Sequence, residues 1–408
     1  MYQIESFLSA RLFLVPEKVG DRIFFISNLS GRLSLYVMDK KGGVPEPLLP
    51  PEIALQNPHL VGRLYKPFPK LGKILVMLDH DGNEDYKPML LPMEGGYPEP
   101  AFTEMLAEHR FHMGQTFPEE NLVYLFAESH KESINITLRV NLKTGEITEL
   151  DRSVYGGFVD AISEDHSKVV LTEGYTAGDN VLFLWQNGQK SLLYGTPLDQ
   201  RQPGVEYPLT GMGNGHFVRG DQGLLVFTTL FEDTGGLAYF DLDNPTNLKQ
   251  VPFVGVAHEG FGEFEGLTHL EGNRFLAYFN IDGVNWCYEA TFDEKKLELK
   301  LGAVLVGQGK ISNGVVEHIS WEKASDEFVV SHSTAISPTQ IYRIKQKRKK
   351  VKQLTREKVL AIPEELLAAG EDASFTSFDG LRVSARMYRP AESLGFEGPR
   401  PLVYYIHG

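Results

Sequence analysis

Few residues of this chain stand in patterns that do chemistry, and most of those fail on spacing. Acyl transfer by a serine on an α/β sheet needs the Gly-x-Ser-x-Gly turn, which lifts the hydroxyl onto a strand-to-helix elbow. No serine of the 408 residues sits in one. Asp79-His-Asp81-Gly-Asn83-Glu-Asp85 offers carboxylates spaced as in a calcium loop. Such a loop needs Gly at its sixth position and Glu at its twelfth, where this chain has Glu84 and Leu90. The segment therefore reads as a charged turn, and no metal site is expected. Gly211-MGNG-His216 and Gly260-FGEFE-Gly266 are glycine-rich, but neither completes Gly-x-Gly-x-x-Gly or opens a helix. Both read as loops between repeats, with substrate contact as the sharper alternative. Lys345-QKRKKV-Lys352 holds six basic residues in eight and reads as a solvated hairpin. The one cysteine, Cys287, follows Trp286 in a strand pattern and reads as a buried thiol, as Trp185, Trp286 and Trp321 read as packing. His407-Gly408 follows the apolar run Pro401-LVYY-Ile406.

The elements around these residues repeat. Strand-like runs begin at Arg22, Lys73, Leu122, Lys168, Leu224, Arg274 and Glu327, at intervals of 51, 49, 46, 56, 50 and 53 residues. Each is rich in Val, Ile, Phe and Tyr, as strands are. A polar turn and a second strand-like run follow, often with Asp-Gly, Lys-Gly-Gly or Thr-Gly-Glu at the bends, which is hairpin chemistry. A period near fifty residues predicts a β-propeller of four-stranded antiparallel blades. Seven blades are expected over residues 12–355, at about 12–50, 58–101, 107–151, 157–196, 207–252, 263–305 and 313–355. A pair of β-sandwiches is the rival.

Composition narrows the function. The chain is 42% hydrophobic and 23% charged, as globular proteins are. Its formal net charge of -14 disfavours nucleic acid and anionic membrane as partners. The N-terminus lacks a basic leader pattern, and no apolar stretch is long enough to span a bilayer. A single cysteine allows no internal disulfide and favours a cytoplasmic setting.

The period ends after Thr355. Pro363-EELLAA-Gly370 carries the signals of a short helix in a linker over 356–370. Residues 371–408 read as the start of another domain: a hairpin of two alternating strands turning at Phe378-Asp-Gly-Leu381, then Leu402–Ile406. That last run is apolar without alternation, as suits a strand buried on both faces of an α/β sheet.

A seven-bladed propeller, a short helix, "SFDGLRVSARMYRP" and "PLVYYIHG" together resemble the S9 serine peptidases, the group of prolyl oligopeptidase, dipeptidyl peptidase and acylaminoacyl-peptidase. The closing His-Gly is most similar to the acylaminoacyl-peptidase branch. The propeller part of the resemblance is generic; the junction over 374–408 is specific. The resemblance implies that His407 and Gly408 begin an oxyanion-hole loop, and that a Ser-Asp-His triad lies in an α/β-hydrolase domain after Gly408. The chain departs from the family pattern by ending before that loop's second glycine. On this reading residues 1–408 hold no catalytic residue, need no cofactor and gate short peptide substrates for the hydrolase domain, with self-association open. A stand-alone propeller scaffold is the alternative.

Overall fold

The computed structural model describes residues 3–345 and 350–406. Seven consecutive four-stranded antiparallel sheets follow one another around a ring, as the period predicts. The first blade runs Leu14–Val19, Arg22–Ser27, Ser34–Asp39 and Glu46–Pro47, each strand pairing with the next. The first strand of every blade lies innermost. In order around the ring these are Leu14–Val19, Tyr65–Phe68, His109–Phe117, Gly156–Ile162, Gly213–Val218, Gly262–Glu271 and Gly314–Glu322. The sixth blade carries a fifth strand, Phe253–Val254, parallel to the outer strand Glu298–Val306.

Burial explains the strands. The second strand of a blade is covered by a neighbouring blade on both faces, so it needs continuous rather than alternating apolarity. Ile23, Phe24, Phe25 and Ile26 are all fully buried, as are Ile74, Leu75 and Val76. The apolar core is accordingly divided between blades: one cluster joins the first three, and others join the later pairs.

Strand direction gives the ring two unlike faces. One carries the connections between blades and the turns between second and third strands. Exposed Leu60, Val154, Tyr155, Leu198, Leu209, Phe231 and Phe261 all lie there. The opposite face carries charged and glycine turns such as Lys40–Gly43, Lys143–Gly145 and Arg219–Gln222, with Val44 and Tyr97 as apolar exceptions.

Two expectations need correction. Gly213–Val218 and Gly262–Glu271 are innermost strands, so the glycine-rich segments are not simply loops. Their glycines answer to close approach: a Cβ on Gly262 would sit 1.8 Å from the carbonyl oxygen of Asn280 on the next strand of its own blade, and one on Gly215 would sit 2.9 Å from Asp160 Oδ2 on the preceding innermost strand. The helix expected after Pro363 is one 3-10 turn, Glu364–Leu366, because Leu367 is already extended.

Among the described residues the first and last blades share no strand, so side chains close the ring. The Lys18 ammonium, buried in the seam, pairs with Glu322 and lies 3.6 Å from Glu327. Glu322 also accepts from the Gly20 amide, and Ser320 Oγ donates to the carbonyl of Pro16 at 2.7 Å. Removing one partner of a buried pair strands the other charge. Lys18→Met is therefore expected to cost about 3 kcal/mol of stability, read from urea unfolding midpoints. A loss well under 1 kcal/mol would show that the seam does not depend on this pair.

Candidate functional site

At the centre of the ring, side chains on the innermost strands or close beside them fasten each blade to the next, Asn285 alone reaching in from a third strand. Lys66 Nζ lies 2.9 Å from both oxygens of Glu17, joining the second blade to the first. Arg63 donates to the carbonyl of Gly114 at 3.2 Å, and Gln115 Nε2 to that of Asp160 at 3.1 Å. The Asp160 carboxyl faces the amides of Gly215 and Asn214. Asn214 Oδ1 accepts from the Leu267 amide, while His216 Nε2 donates to the Leu267 carbonyl at 3.2 Å. Asn285 Oδ1 accepts from the Val316 amide at 2.9 Å. His318 Nε2, 3.8 Å from Glu17, completes the circuit back to the first blade. All seven junctions are thus bridged.

Burial tunes these groups in opposite directions. Burial opposes the charge on Glu17, but Lys66 and His318 overcome it and hold the carboxyl well below the usual range. Asp160 has no cation beside it, so burial pushes its carboxyl up to about 6 against the pull of the Gly215 and Asn214 amides. Burial, reinforced by His269, pushes His216 down to about 4, which keeps its ring a neutral donor. Burial likewise pushes the Cys287 thiol up, away from the reactive thiolate.

The hairpin of 371–387 docks on the apolar-connection face. Phe375–Thr376 pairs with Arg382–Val383, and Glu371–Asp372 with Arg386–Met387, so the Phe378–Leu381 turn lies where the sequence puts it. Arg382 grips both oxygens of Asp282 at 2.7 and 3.1 Å, and Ser384 Oγ donates to one of them at 2.7 Å. The Arg382 guanidinium leads in holding the Asp282 carboxyl below its usual range, Ser384 adding to it. Arg382 also lies over the Phe261 ring, and Arg386 donates to Asn313 Oδ1 at 2.7 Å. Asp282 and Gly283, with φ of 50° and 76°, make the tight turn of the sixth blade that presents this carboxylate.

Of the residues singled out in the sequence, His407 and Gly408 lie outside the described residues. Leu402–Ile406 is not a strand. Among the described residues none pairs with it, and its side chains are 63–88% exposed. The Asp79–Asp85 segment is a turn in which Asp79 Oδ2 accepts from the Glu84 amide and Gln56 Nε2. Of the basic run, Lys345 pairs with Glu327 and Lys352 donates to the carbonyl of Lys41; residues 346–349 are outside the described set. Sequence reasoning missed the channel ring. Its signal was present: Glu17, Lys66, Gln115, Asp160 and Asn214 follow the same spacing of roughly fifty residues, and His318 stands two such periods further on.

No family model matches the sequence, and no curated protein does. Solved structures match by fold. A prolyl endopeptidase superposes with a TM-score of 0.63 at 13% identity, covering 91% of this chain and 53% of its own. Puromycin hydrolase gives 0.63 at 15%, with 93% and 59% covered. Prolyl oligopeptidase B from Galerina marginata gives 0.59 at 14%, with 93% and 56% covered. The chain thus has the propeller fold found in peptidases of this kind, and it spans just over half the length of those structures.

Asp160 supplies a pH test. A carboxyl whose folded value is raised contributes stability below its unfolded value near 4, and loses it as pH rises through about 6. Asp160→Asn should therefore gain on the wild type by about 2 kcal/mol between pH 4 and pH 7.5. Paired urea midpoints at the two pH values measure it. A wild type that gains on the variant as pH rises would reverse the assignment.

Proposed function

We propose that this chain is the gating propeller of a serine peptidase of the prolyl oligopeptidase type, with the acylaminoacyl-peptidase branch as the nearest pattern. Residues 12–355 form the propeller, 356–370 the linker, and 371–408 the opening strands of an α/β-hydrolase domain that carries the nucleophile, base and orienting acid beyond Gly408. His407 and Gly408 then begin the oxyanion loop, whose amides would stabilise the tetrahedral intermediate. The substrates are short peptides in the cytoplasm.

The observation that carries this reading is the docking of the 371–387 hairpin by Arg382 and Ser384 on Asp282, on the face whose connections are apolar. A segment with the pattern of a hydrolase start is held where a second domain would cover those side chains and the channel mouth. Leu402–Ile406, left exposed here, would gain on the order of 1.5–3 kcal/mol per large side chain on burial in a completed sheet. The propeller's contribution to catalysis is exclusion: a narrow ring admits an extended peptide and rejects a folded domain.

A fluorophosphonate probe tests the reading. Residues 1–408 should show no labelling with turnover, whereas the product of the reading frame continued past Gly408 should label at one serine. A stop codon directly after Gly408, or no labelled serine in the longer product, would leave the scaffold alternative standing. The docking is tested separately. Asp282→Ala should speed tryptic cleavage after Arg382 and Arg386 at least severalfold, followed by mass spectrometry, with the blades remaining intact.

A further inference from the structure

We propose that the cavity between the second, third and fourth blades is a subsite for an aromatic side chain of a peptide. The cavity measures about 350 Å³ and opens toward the apolar-connection face. A column of rings runs to it through the third blade. Tyr86 and His112 have centroids 6.2 Å apart, His112 and Phe126 6.3 Å, and Phe126 and Phe158 4.4 Å at an interplanar angle of 21°. The column ends at Phe158, which is 53% exposed although it lies on an innermost strand. A stacked ring with a free side at a cavity wall favours one more ring, since offset stacking adds to the burial of area.

The backbone is shaped to present this ring. Gly156 and Gly157 have φ of 101° and 153°. A Cβ on Gly156 would lie 2.6 Å from the Phe158 ring, and one on Gly157 would lie 2.7 Å from Asp151 Oδ2. Only glycine at both positions lets Phe158 fold back over Phe126.

The polar groups select among guests. Glu128, the only carboxylate among the described residues of the cavity wall, is taken by Arg110 at 2.8 Å and has His112 3.2 Å away. It is neutralised, which disfavours a cationic guest. Arg63 spends one donor on Gly114 and keeps the rest of an exposed guanidinium at the wall. Those donors suit the carbonyl groups flanking a peptide side chain. That the guest belongs to a peptide rests on the peptidase reading; that it is aromatic rests on the ring column.

Saturation-transfer NMR on residues 1–408 tests the site without turnover, so failure of the peptidase reading leaves the result interpretable. The probes are the N-acetyl methylamides of phenylalanine, alanine and arginine. The phenylalanine probe should bind at least tenfold more tightly than the other two. Phe158→Ala should abolish that preference, and Phe158→Tyr should keep it. Circular dichroism checks the fold; if Phe158→Ala fails to fold, Phe158→Leu decides, and should weaken the phenylalanine probe at least fivefold. Equal binding of phenylalanine and alanine, tighter binding of arginine, or unchanged binding to a folded Phe158→Ala or Phe158→Leu protein would overturn the proposal. Phenylalanine binding in a protein whose full reading frame lacks peptidase activity would uphold the aromatic site and remove only the peptide as its natural guest.

Discussion

A four-stranded sheet cannot bury both of its faces by itself, and everything else in this molecule follows from that. Each blade depends on its two neighbours, so seven blades are stable only as a closed ring. The innermost strands sit closest to the axis and have little room for packing side chains. There the ring is fastened by single polar groups instead: Lys66 to Glu17, Arg63 to Gly114, Gln115 to Asp160, Asn214 and His216 to Leu267. Six junctions are also crossed by the continuous chain. The seventh is held by side chains instead: the Lys18, Glu322 and Glu327 cluster, the Ser320–Pro16 bond, and apolar packing of Phe13 and Phe25 with Val329 and Ile341.

The same geometry separates scaffold from surface. Chain direction sends every blade-to-blade connection to one face, and that face holds Leu60, Tyr155, Leu209 and Phe261 in the open. The opposite face is left with tight charged turns. The hairpin anchored on Asp282 lies on the apolar side, so the molecule presents one face of apolar connections and one of charged turns.

How much of this was legible in the sequence depended on which strand was being read. The second strands, such as Arg22–Ser27 and Lys73–Leu78, are buried on both faces, so their unbroken apolar runs carried the period directly. The innermost strands gave no such signal. Gly213–Val218 and Gly262–Glu271 are glycine-rich and polar because they pack closely and are fastened by polar side chains, and composition alone makes them look like loops. The tail shows the reverse error: Leu402–Ile406 has the composition of a buried strand, but a strand also needs a partner to pair with. Phe158 was readable only through its two preceding glycines, whose meaning depends on the Phe126 ring, 32 residues earlier in the chain.

The chain reaches and leaves the ring at one corner. Ser9 Oγ accepts from the Leu360 amide at 3.1 Å, and Arg11 lies 3.7 Å from Glu357. Both strands of this tether therefore attach beside the seam between first and last blades. Mechanical load applied through them would not spread evenly over seven blades. Tension that draws the two tether strands apart meets the Arg11–Glu357 contact first, then the Lys18 cluster, while the six chain-linked junctions stay slack. The ring would yield by unzipping from a single edge, and its resistance to pulling would be set by that one seam, its ion pairs and the packing of Phe13 and Phe25 on Val329 and Ile341, rather than by the total area the ring buries.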